Sequence, residues 1–231
     1  MNCRKALSDA RYELKFNAKS SRYFDLINTI ETDRALYHRP YESRIINNIY
    51  FDTCDLDAFQ QNVSGATSRS KLRLRWYGDT LNPKSSALEL KLRRNRYGWK
   101  LQDTVTLSCG LLDFDYTELE RLLIAQLESE MRLQLLHSPI PILLNTYKRD
   151  YFVSADSKVR VTVDQGMRFF DQRFSNRVSL DREGMSPDLI VVEYKSAVED
   201  AADLERAIRN VRLVRTRNSK YVIGVSSILG L

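Results

Sequence analysis

The sequence is poor in the residues that build metal centres, disulfides and nucleophilic triads. It contains three cysteines and two histidines among 231 residues. The odd, widely spaced set Cys3, Cys54 and Cys109 includes no CxxC pair, which favours a reducing compartment over a disulfide framework. His38 and His137 lie far apart in sequence, so a histidine-based zinc site or a Ser/His/Asp triad has little material.

Long apolar runs, flexible linkers and glycine-rich phosphate loops are also missing. No stretch reaches the roughly 18 apolar residues that would span a bilayer, and charges interrupt the opening residues, which is untypical of a signal peptide. We therefore expect a cytoplasmic protein with no membrane span in this chain. Because no linker rich in Pro, Gly or Ser divides the sequence, we expect a short N-terminal segment over residues 1–10 and a single domain over residues 11–231.

Positive charge is in excess, with 36 basic against 30 acidic residues and a formal net charge of +6. This balance favours an anionic partner. The basic residues alternate with apolar ones and do not form a separate stripe, so nucleic acid is not the expected partner. The pattern leaves the oligomeric state open.

The most informative pattern is this alternation, which occurs in segments typical of β-strands. Side chains at positions i and i+2 share one face of a strand, so KLRLRWYG and LELKLRR each present an apolar face and a charged face. The same alternation recurs in RYELK, YKRDY, VRVTVD, VVEYKS and NSKYVIG. About eight strand candidates without a βαβ rhythm predict an α+β fold, a closed eight-stranded antiparallel β-barrel with a charged interior and external helices.

Helical spacing and capping signals predict the helices outside this barrel. The first begins at a Ser20 or Ser21 cap, and a short second one covers DLDAFQQN. A longer helix starts at Thr117, with Glu120 completing a capping box, and runs to residue 138. A fourth is expected over residues 203–214, and the final YVIGVSSILGL reads as a last strand.

The charged faces contain the residues that a phosphate site requires. Arginine forks bind phosphate oxygens bidentately, while lysines act as mobile point charges. The candidate phosphate-binding cations are Lys15, Arg73, Arg75, Lys91, Lys100, Arg149, Arg160 and Lys220. Carboxylates among these cations should stay ionised, and hard oxygen ligands favour Mg²⁺ or Mn²⁺, so Glu193, Glu13 and Glu89 are the candidate metal ligands.

Several residues keep two interpretations. Asp164 is either a metal ligand or the partner of an arginine. Trp76, Tyr77 and Trp99 either stack an adenine or pack in the core and at strand ends. Any single charge could also be an ordinary solvated one, and acid–lysine neighbours two residues apart could merely share a strand face.

Taken in order, these segments resemble the catalytic tunnel domain of the vacuolar transporter chaperone (VTC) family, within the triphosphate tunnel metalloenzyme (CYTH-like) superfamily. The resemblance also includes YFDTCDL and NRYGWK and covers residues 11 to about 226. It implies an eight-stranded tunnel that binds triphosphate and, in eukaryotic members, a polymerase that moves the γ-phosphate of ATP onto polyphosphate with Mn²⁺. It further implies that the cations above bind phosphates, that Glu193 holds the metal and that Ser219 is an additional phosphate contact.

Two departures from the family pattern shape the expected activity. The first strand has Arg11, Glu13 and Lys15 where hydrolytic members carry ExExK, which weakens a two-metal hydrolase reading. Gln102 stands where many members have a second basic residue. The expected partners are ATP and inorganic polyphosphate or triphosphate. The expected function is ATP-dependent polyphosphate polymerisation, with a triphosphate or tripolyphosphate hydrolase and a non-catalytic binding module as alternatives.

The residues expected to take part in that catalysis are a subset of the candidate cations together with the metal-binding acid. They are Lys15, Arg73, Arg75, Lys91, Arg149, Arg160, Glu193 and Lys220.

Overall fold

The computed structural model describes residues 11–78, 81–83, 85–95, 97–209 and 211–231. Within these ranges it contains nine strands and six α-helices. The strands are β1 Arg11–Ala18, β2 Arg44–Asp52, β3 Ser68–Tyr77, β4 Ser86–Arg94, β5 Tyr97–Val105, β6 Ile140–Val153, β7 Val159–Asp171, β8 Ile190–Ala197 and β9 Val214–Arg215. The helices are α1 Tyr23–Glu31, α2 Asp57–Val63, α3 Tyr116–Gln126, α4 Ser129–His137, α5 Ala201–Ile208 and α6 Lys220–Leu229.

The strands form one open sheet in the order β5-β4-β3-β2-β6-β7-β8-β1-β9. The ladders with described registers are antiparallel. Among the described residues β5 and β9 each have one neighbouring strand and do not pair with each other, so the predicted closed eight-stranded barrel is wrong. The edge strand β9 has only two residues, which is too short a ladder to continue the sheet into a closed ring.

The segment predicted as the last strand is a helix, α6. Ser219 caps it by accepting a hydrogen bond from a backbone N–H in the first turn. Tyr221, Gly224 and Val225 are buried at the spacing of one helix face. A Cβ at Gly224 would lie 2.5 Å from Leu143 Cδ2, so the glycine lets this helix pack closely. The spacing of its apolar residues is compatible with both a strand and a helix, and tertiary packing favours the helix.

The predicted long helix is two helices, α3 and α4. The two residues between them, Leu127 and Glu128, have extended backbone angles, which end α3 before α4 begins. The capping box is also formed by a different pair from the predicted Thr117 and Glu120. Asp115 Oδ1 accepts from the backbone N of Glu118 at 2.8 Å, and Glu118 Oε2 accepts from the backbone N of Asp115 at 3.0 Å.

The first helix begins later than predicted. A single 3₁₀ turn, Ser20–Arg22, precedes α1, and neither helix start has a side-chain cap, so the predicted serine cap is wrong. The predicted apolar face is confirmed, because Leu26, Ile27 and Ile30 are buried. The helix expected over residues 203–214 is the shorter α5, and β5 is a strand that the pattern did not separate from β4.

Two compact units divide the chain. The first unit is Met1–Arg44, Tyr147–Met167 and Pro187–Asn218, and the second unit is Ile45–Thr146, Arg168–Ser186 and Ser219–Leu231. Each has its own core. In the first unit α1 and the apolar faces of β1, β7 and β8 pack together, and in the second α3 and α4 cover β3 and β4. The single domain over residues 11–231 stays a prediction.

Candidate phosphate and metal site

Four strands of the first unit present one charged face. Alternation places these side chains opposite the apolar ones that fill the core. In the ladder of β1 and β8, Lys15 pairs with Glu193 and Glu13 pairs with Lys195. The charged face of the first unit consists of Glu13, Lys15, Arg149, Arg160, Thr162, Asp164, Glu193 and Lys195.

Glu193 lies among lysines on this face. Its Oε1 is 3.7 Å from Lys15 Nζ and 3.1 Å from Lys195 Nζ. Lys15 Nζ is also 2.8 Å from Glu13 Oε1 and donates to the backbone oxygen of Asn218 at 3.3 Å. The Glu193 side chain is almost entirely buried. Two carboxylates and two ammonium groups therefore form one compact ionic cluster.

The charges of this cluster shift the pKa values of Glu193 and Lys15. Burial alone would raise the pKa of Glu193, but the charges of Lys15, Lys195 and Arg149 lower that pKa well below its usual range. Burial alone would lower the pKa of Lys15, but the carboxylates of Glu193 and Glu13 outweigh it and raise that pKa. Glu193 therefore remains an anion, as a metal ligand must.

Arg149 forms a bidentate pair with Asp164. Its Nε lies 2.5 Å from Oδ1 and its Nη2 lies 2.7 Å from Oδ2. Asp164 is completely buried, and the carboxylate raises the pKa of Arg149 despite burial. Of the two interpretations of Asp164, the structure has the arginine partner. Arg160 lies on the same face opposite Lys195 and is exposed.

The second unit has a charged face of its own on β3, β4 and β5. The register aligns Arg73 with Glu89 and Gln102, and aligns Lys71 with Lys91 and Lys100. The charged face of the second unit consists of Lys71, Arg73, Arg75, Glu89, Lys91, Lys100 and Gln102. The opposite faces, including Leu72, Leu74, Leu88 and Leu90, belong to the core.

Glu89 is the centre of this second face. Its Oε2 accepts from Arg73 Nη2 at 2.6 Å and lies 3.5 Å from Arg75 Nη1. Its Oε1 accepts from Lys100 Nζ at 3.1 Å. Burial favours the neutral acid, but the two arginines and the lysine lower the pKa of Glu89 to about 2. The carboxylate holds three cations in place.

The start of α6 adds predicted phosphate contacts to the second unit. Ser219 Oγ accepts from Lys71 Nζ at 2.9 Å, and Lys220 is the first residue of the helix. The predicted phosphate-binding residues are thus distributed over both units. Lys15, Arg149 and Arg160 lie in the first unit, and Arg73, Arg75, Lys91, Lys100, Ser219 and Lys220 lie in the second.

Comparison with known proteins identifies the family. The profile described as the VTC domain matches residues 10–229. The chain belongs to the VTC domain family. This confirms the family recognised in the sequence. Membership supports a role with polyphosphate or nucleotides and phosphoryl chemistry, in a family whose members generally use divalent metals.

Solved structures with some likeness to this VTC domain were also found. The PH1819 protein of Pyrococcus horikoshii OT3 is 14% identical with a TM-score of 0.46, and the match covers 93% of this chain and 97% of that one. A candidate adenylate cyclase of Vibrio parahaemolyticus is 15% identical with a TM-score of 0.49, covering 96% and 98%. A chain of the Schizosaccharomyces pombe Mediator head module is 11% identical with a TM-score of 0.42, covering 87% and 92%. These scores support no inference about function.

No curated protein matches the chain in the corresponding search. In the ranges that the structure describes, no helix of the VTC domain is long and apolar enough to cross a membrane.

Two polar residues of β2 accept hydrogen bonds from arginines on the charged face of the second unit, and they were not among the residues predicted from the sequence. Tyr50 Oη accepts from Arg73 Nη1 at 3.1 Å, and Asn48 Oδ1 accepts from Arg75 Nε at 2.8 Å. Asn48 also donates to Asn145 at 2.8 Å. The signal was present in INNIYFDT, because Asn48 and Tyr50 are two residues apart and share a strand face. Only the register shows which arginines they meet.

The aromatic candidates for adenine stacking have different environments. Trp76 is completely buried and belongs to the core of the second unit. Trp99 lies beside Leu92 in the ladder of β4 and β5 and is half-buried. Tyr77 is exposed at the end of β3. Trp76 therefore has the structural role that the packing interpretation gives it.

The donor set of the first unit fits a hard divalent cation that is shared with a substrate. In the described part of the chain, no three side chains of His, Cys, Asp or Glu form a metal site by themselves. Mg²⁺ is often held by one or two carboxylates together with substrate phosphates, and Glu13 and Glu193 supply two. Thr162 Oγ1 is buried opposite Glu193 and has no hydrogen-bond partner among the described residues. An orphan hydroxyl beside a buried anion is suited to a polar ligand.

Proposed function

We propose that this VTC domain is a metal-dependent phosphotransferase that moves the γ-phosphate of ATP onto a polyphosphate chain. The observation that carries the proposal is the buried, ionised Glu193, whose carboxylate lies between Lys15 and Lys195. The ion pair of Arg149 and Asp164 belongs to the same face. Family membership supports the same chemistry. A buried anion held among several cations is suited to a metal–phosphate complex, which itself carries both signs of charge.

The cations of both faces are proposed to bind phosphate oxygens. A phosphate chain is costly to remove from water unless several cations replace its solvation. Glu89 keeps Arg73, Arg75 and Lys100 in fixed orientations before a substrate arrives, which lowers the entropy cost of binding. The proposed phosphate contacts are Lys15, Arg73, Arg75, Lys91, Lys100, Arg149, Arg160, Ser219 and Lys220.

Glu193 and Glu13 are proposed to hold Mn²⁺ or Mg²⁺. When bound, such an ion supplies positive charge to the phosphate oxygens. We do not assign this role to Glu89, because its oxygens already receive two arginines and a lysine within 3.5 Å. Lys15 and Lys195 orient the two proposed ligands through their ion pairs.

Transfer needs no nucleophile from the protein. An oxygen at the end of the polyphosphate chain forms a bond to the γ-phosphorus, the bond from that phosphorus to the β–γ bridging oxygen breaks, and ADP leaves. The attacking phosphate oxygen is already an anion, so no general base has to remove a proton. Positioning and charge neutralisation therefore carry the rate enhancement.

The first strand favours transfer over hydrolysis. Hydrolysis requires a carboxylate that activates water. On β1 the position two residues before Glu13 is the exposed Arg11. Glu13 itself lies 2.8 Å from Lys15 and 3.6 Å from Lys195. These two ion pairs occupy the carboxylate that would otherwise be available to orient a water molecule, which supports a transferase.

The test is incubation with ATP and Mn²⁺, with separate measurement of ADP, orthophosphate and polyphosphate chains. The proposal requires ADP and chain products together, both lost in Glu193→Gln. Orthophosphate released from tripolyphosphate without chain growth would establish the hydrolase alternative. Tight binding of ATP with no product at all would leave only the binding module.

A further inference from the structure

An exposed aromatic cluster lies on the first unit, formed by Tyr41, Arg44 and Tyr151. The two tyrosine rings meet edge to face with centroids 5.7 Å apart. The guanidinium carbon of Arg44 lies 4.4 Å from the ring centre of Tyr41 and 5.8 Å from that of Tyr151. Tyr41 is 53% exposed, so the cluster is not part of a core. The edge-to-face ring pair and the cation–π contact are on the surface, and core packing does not explain them.

The position of this cluster links it to the charged face of the first unit. Tyr151 follows Arg149 by two residues on β6, and the intervening Asp150 and the following Phe152 are buried. Strand alternation therefore puts Tyr151 and Arg149 on one face, with Cα atoms about 7 Å apart. The aromatic cluster continues the same face along β6, beyond the arginine that meets Asp164.

We propose that this aromatic cluster stacks the purine base of a nucleoside triphosphate whose phosphates occupy the charged face of the first unit. The inference rests on the proposed function and names where that site recognises the nucleoside part of its substrate. A nucleotide has a polyanionic end and a flat aromatic end. Aromatic rings and guanidinium planes both stack on bases. The first unit has both types of surface, next to each other along one strand.

The segment that carries Tyr41 and Arg44 is held in place by a buried carboxylate. Asp150 is almost completely buried and accepts from Tyr23 Oη at 3.0 Å and from Arg39 Nη1 at 3.2 Å. It also accepts from Ser43 Oγ, which lies in the sequence between the two stacking residues. The rings are therefore ordered before a ligand arrives, which reduces the entropy cost of binding.

Stacking predicts a particular selectivity. It recognises the area of a base and not the donors and acceptors on its edge. ATP and GTP should therefore bind with similar affinity, and both should bind more tightly than UTP. Tripolyphosphate, which has no base, should be insensitive to the cluster.

The test is calorimetric titration of the full chain with ATP, UTP and tripolyphosphate. Tyr41→Ala is expected to weaken ATP binding roughly 5- to 100-fold and to leave tripolyphosphate binding unchanged. Tyr41→Phe should keep the wild-type affinity for ATP. The matched control is Phe24→Ala, since Phe24 is an aromatic residue of the same unit that is 80% exposed; it should alter neither ligand. Tyr151→Leu is the second variant and should repeat the ATP-specific loss.

Each other result contradicts the inference. Unchanged ATP affinity in both variants, or equal losses for ATP and tripolyphosphate, would remove the base-stacking role while the proposed phosphate site stands. UTP binding as tightly as ATP to the wild type would do the same. A wild type that binds neither ATP nor tripolyphosphate would overturn the proposed function together with this inference.

Discussion

The charged faces of the two units have the same construction but unequal ratios of cations to carboxylates. On the described face of the first unit, three carboxylates accompany four cations: Glu13, Asp164 and Glu193 with Lys15, Arg149, Arg160 and Lys195. On the described face of the second unit, Glu89 is surrounded by Lys71, Arg73, Arg75, Lys91 and Lys100. A nearly neutral cluster suits a metal–phosphate complex, whereas a cationic face attracts a polyanion.

The central carboxylates show the same contrast. Burial raises the pKa of both, and nearby cations lower it again. Glu193 pairs with lysines, whose flexible stems can yield to a ligand, while Glu89 is bound by two arginine forks. We infer that Glu193 acts on the reacting groups and that Glu89 orients the cations around it. Four measurements test this difference, beginning with the largest expected effect.

Removing the bidentate partner of Asp164 should destabilise the first unit most. Arg149→Ala removes both hydrogen bonds that the guanidinium donates to a completely buried carboxylate, which costs about 3–5 kcal/mol of unfolding free energy. Urea denaturation measures it. Arg160→Ala, an exposed arginine of the same face, is the control and should change stability little. A loss for Arg149→Ala as small as that of the control would mean that Asp164 does not depend on this arginine.

Neutralising the two central carboxylates should affect turnover unequally. Glu193→Gln is expected to lower the rate of ADP formation about 10²–10³-fold, the effect of removing one electrostatic contact in a transition state. Glu89→Gln disturbs only the orientation of Arg73 and its neighbours, so we expect the rate of ADP formation to fall about 10- to 100-fold. The measurement is steady-state ADP release with Mn²⁺. Equal losses in the two variants would erase the functional distinction between the faces.

Glu89 should also determine part of the acid stability. Its pKa falls from 4.5 to about 2 on folding, so the stabilisation is present above pH 4.5 and is lost as the pH falls through 2. The shift corresponds to a contribution on the order of 3 kcal/mol. In Glu89→Gln, the unfolding free energy should depend less steeply on pH in this window. The part of the pH dependence that Glu193 contributes should remain. Exposed Glu205→Gln is the control, and an unchanged slope in Glu89→Gln would contradict the shift.

The smallest effect on stability is expected at Lys100. Its side chain is 44% exposed although it is 3.1 Å from Glu89, and such pairs contribute about 0–1 kcal/mol. Lys100→Gln should therefore change the melting temperature little, yet weaken tripolyphosphate binding because one cation is lost from the second face. Lys15→Gln, in the more buried cluster of the first unit, should cost more stability. A larger loss of stability in Lys100→Gln than in Lys15→Gln would contradict the difference that we assign to the two faces.

The local sequence pattern predicted several strands and their charged faces correctly. The alternation in KLRLRWYG and LELKLRR predicted an apolar face and a charged face on each segment, and β3 and β4 have them. The segments YKRDY and VRVTVD, which show the same alternation, lie in the neighbouring strands β6 and β7. These predictions succeeded because the side-chain period of a strand and the chemistry of a turn depend on neighbouring residues.

Other predictions failed because local pattern was ambiguous. The apolar residues of YVIGV satisfy a short strand and a helix alike, and the contact of Gly224 with Leu143 decides for the helix. Closure of the sheet depended on that missing last strand. No side chain caps α1, and the capping box of α3 is formed two residues before the predicted one. Several polar residues lie near each helix start, and the sequence does not tell which of them caps the helix.

By itself, the sequence determined which residues carry charge, which of them share a strand face and which family the chain resembles, because these are properties of residue type and short spacing. Only the tertiary structure decided which charges meet. Lys71 and Ser219 are 148 positions apart and form a 2.9 Å hydrogen bond. Strand register and sheet order are set by long-range packing, so the unequal charge balance of the faces described in the two units could not be read from the residues alone.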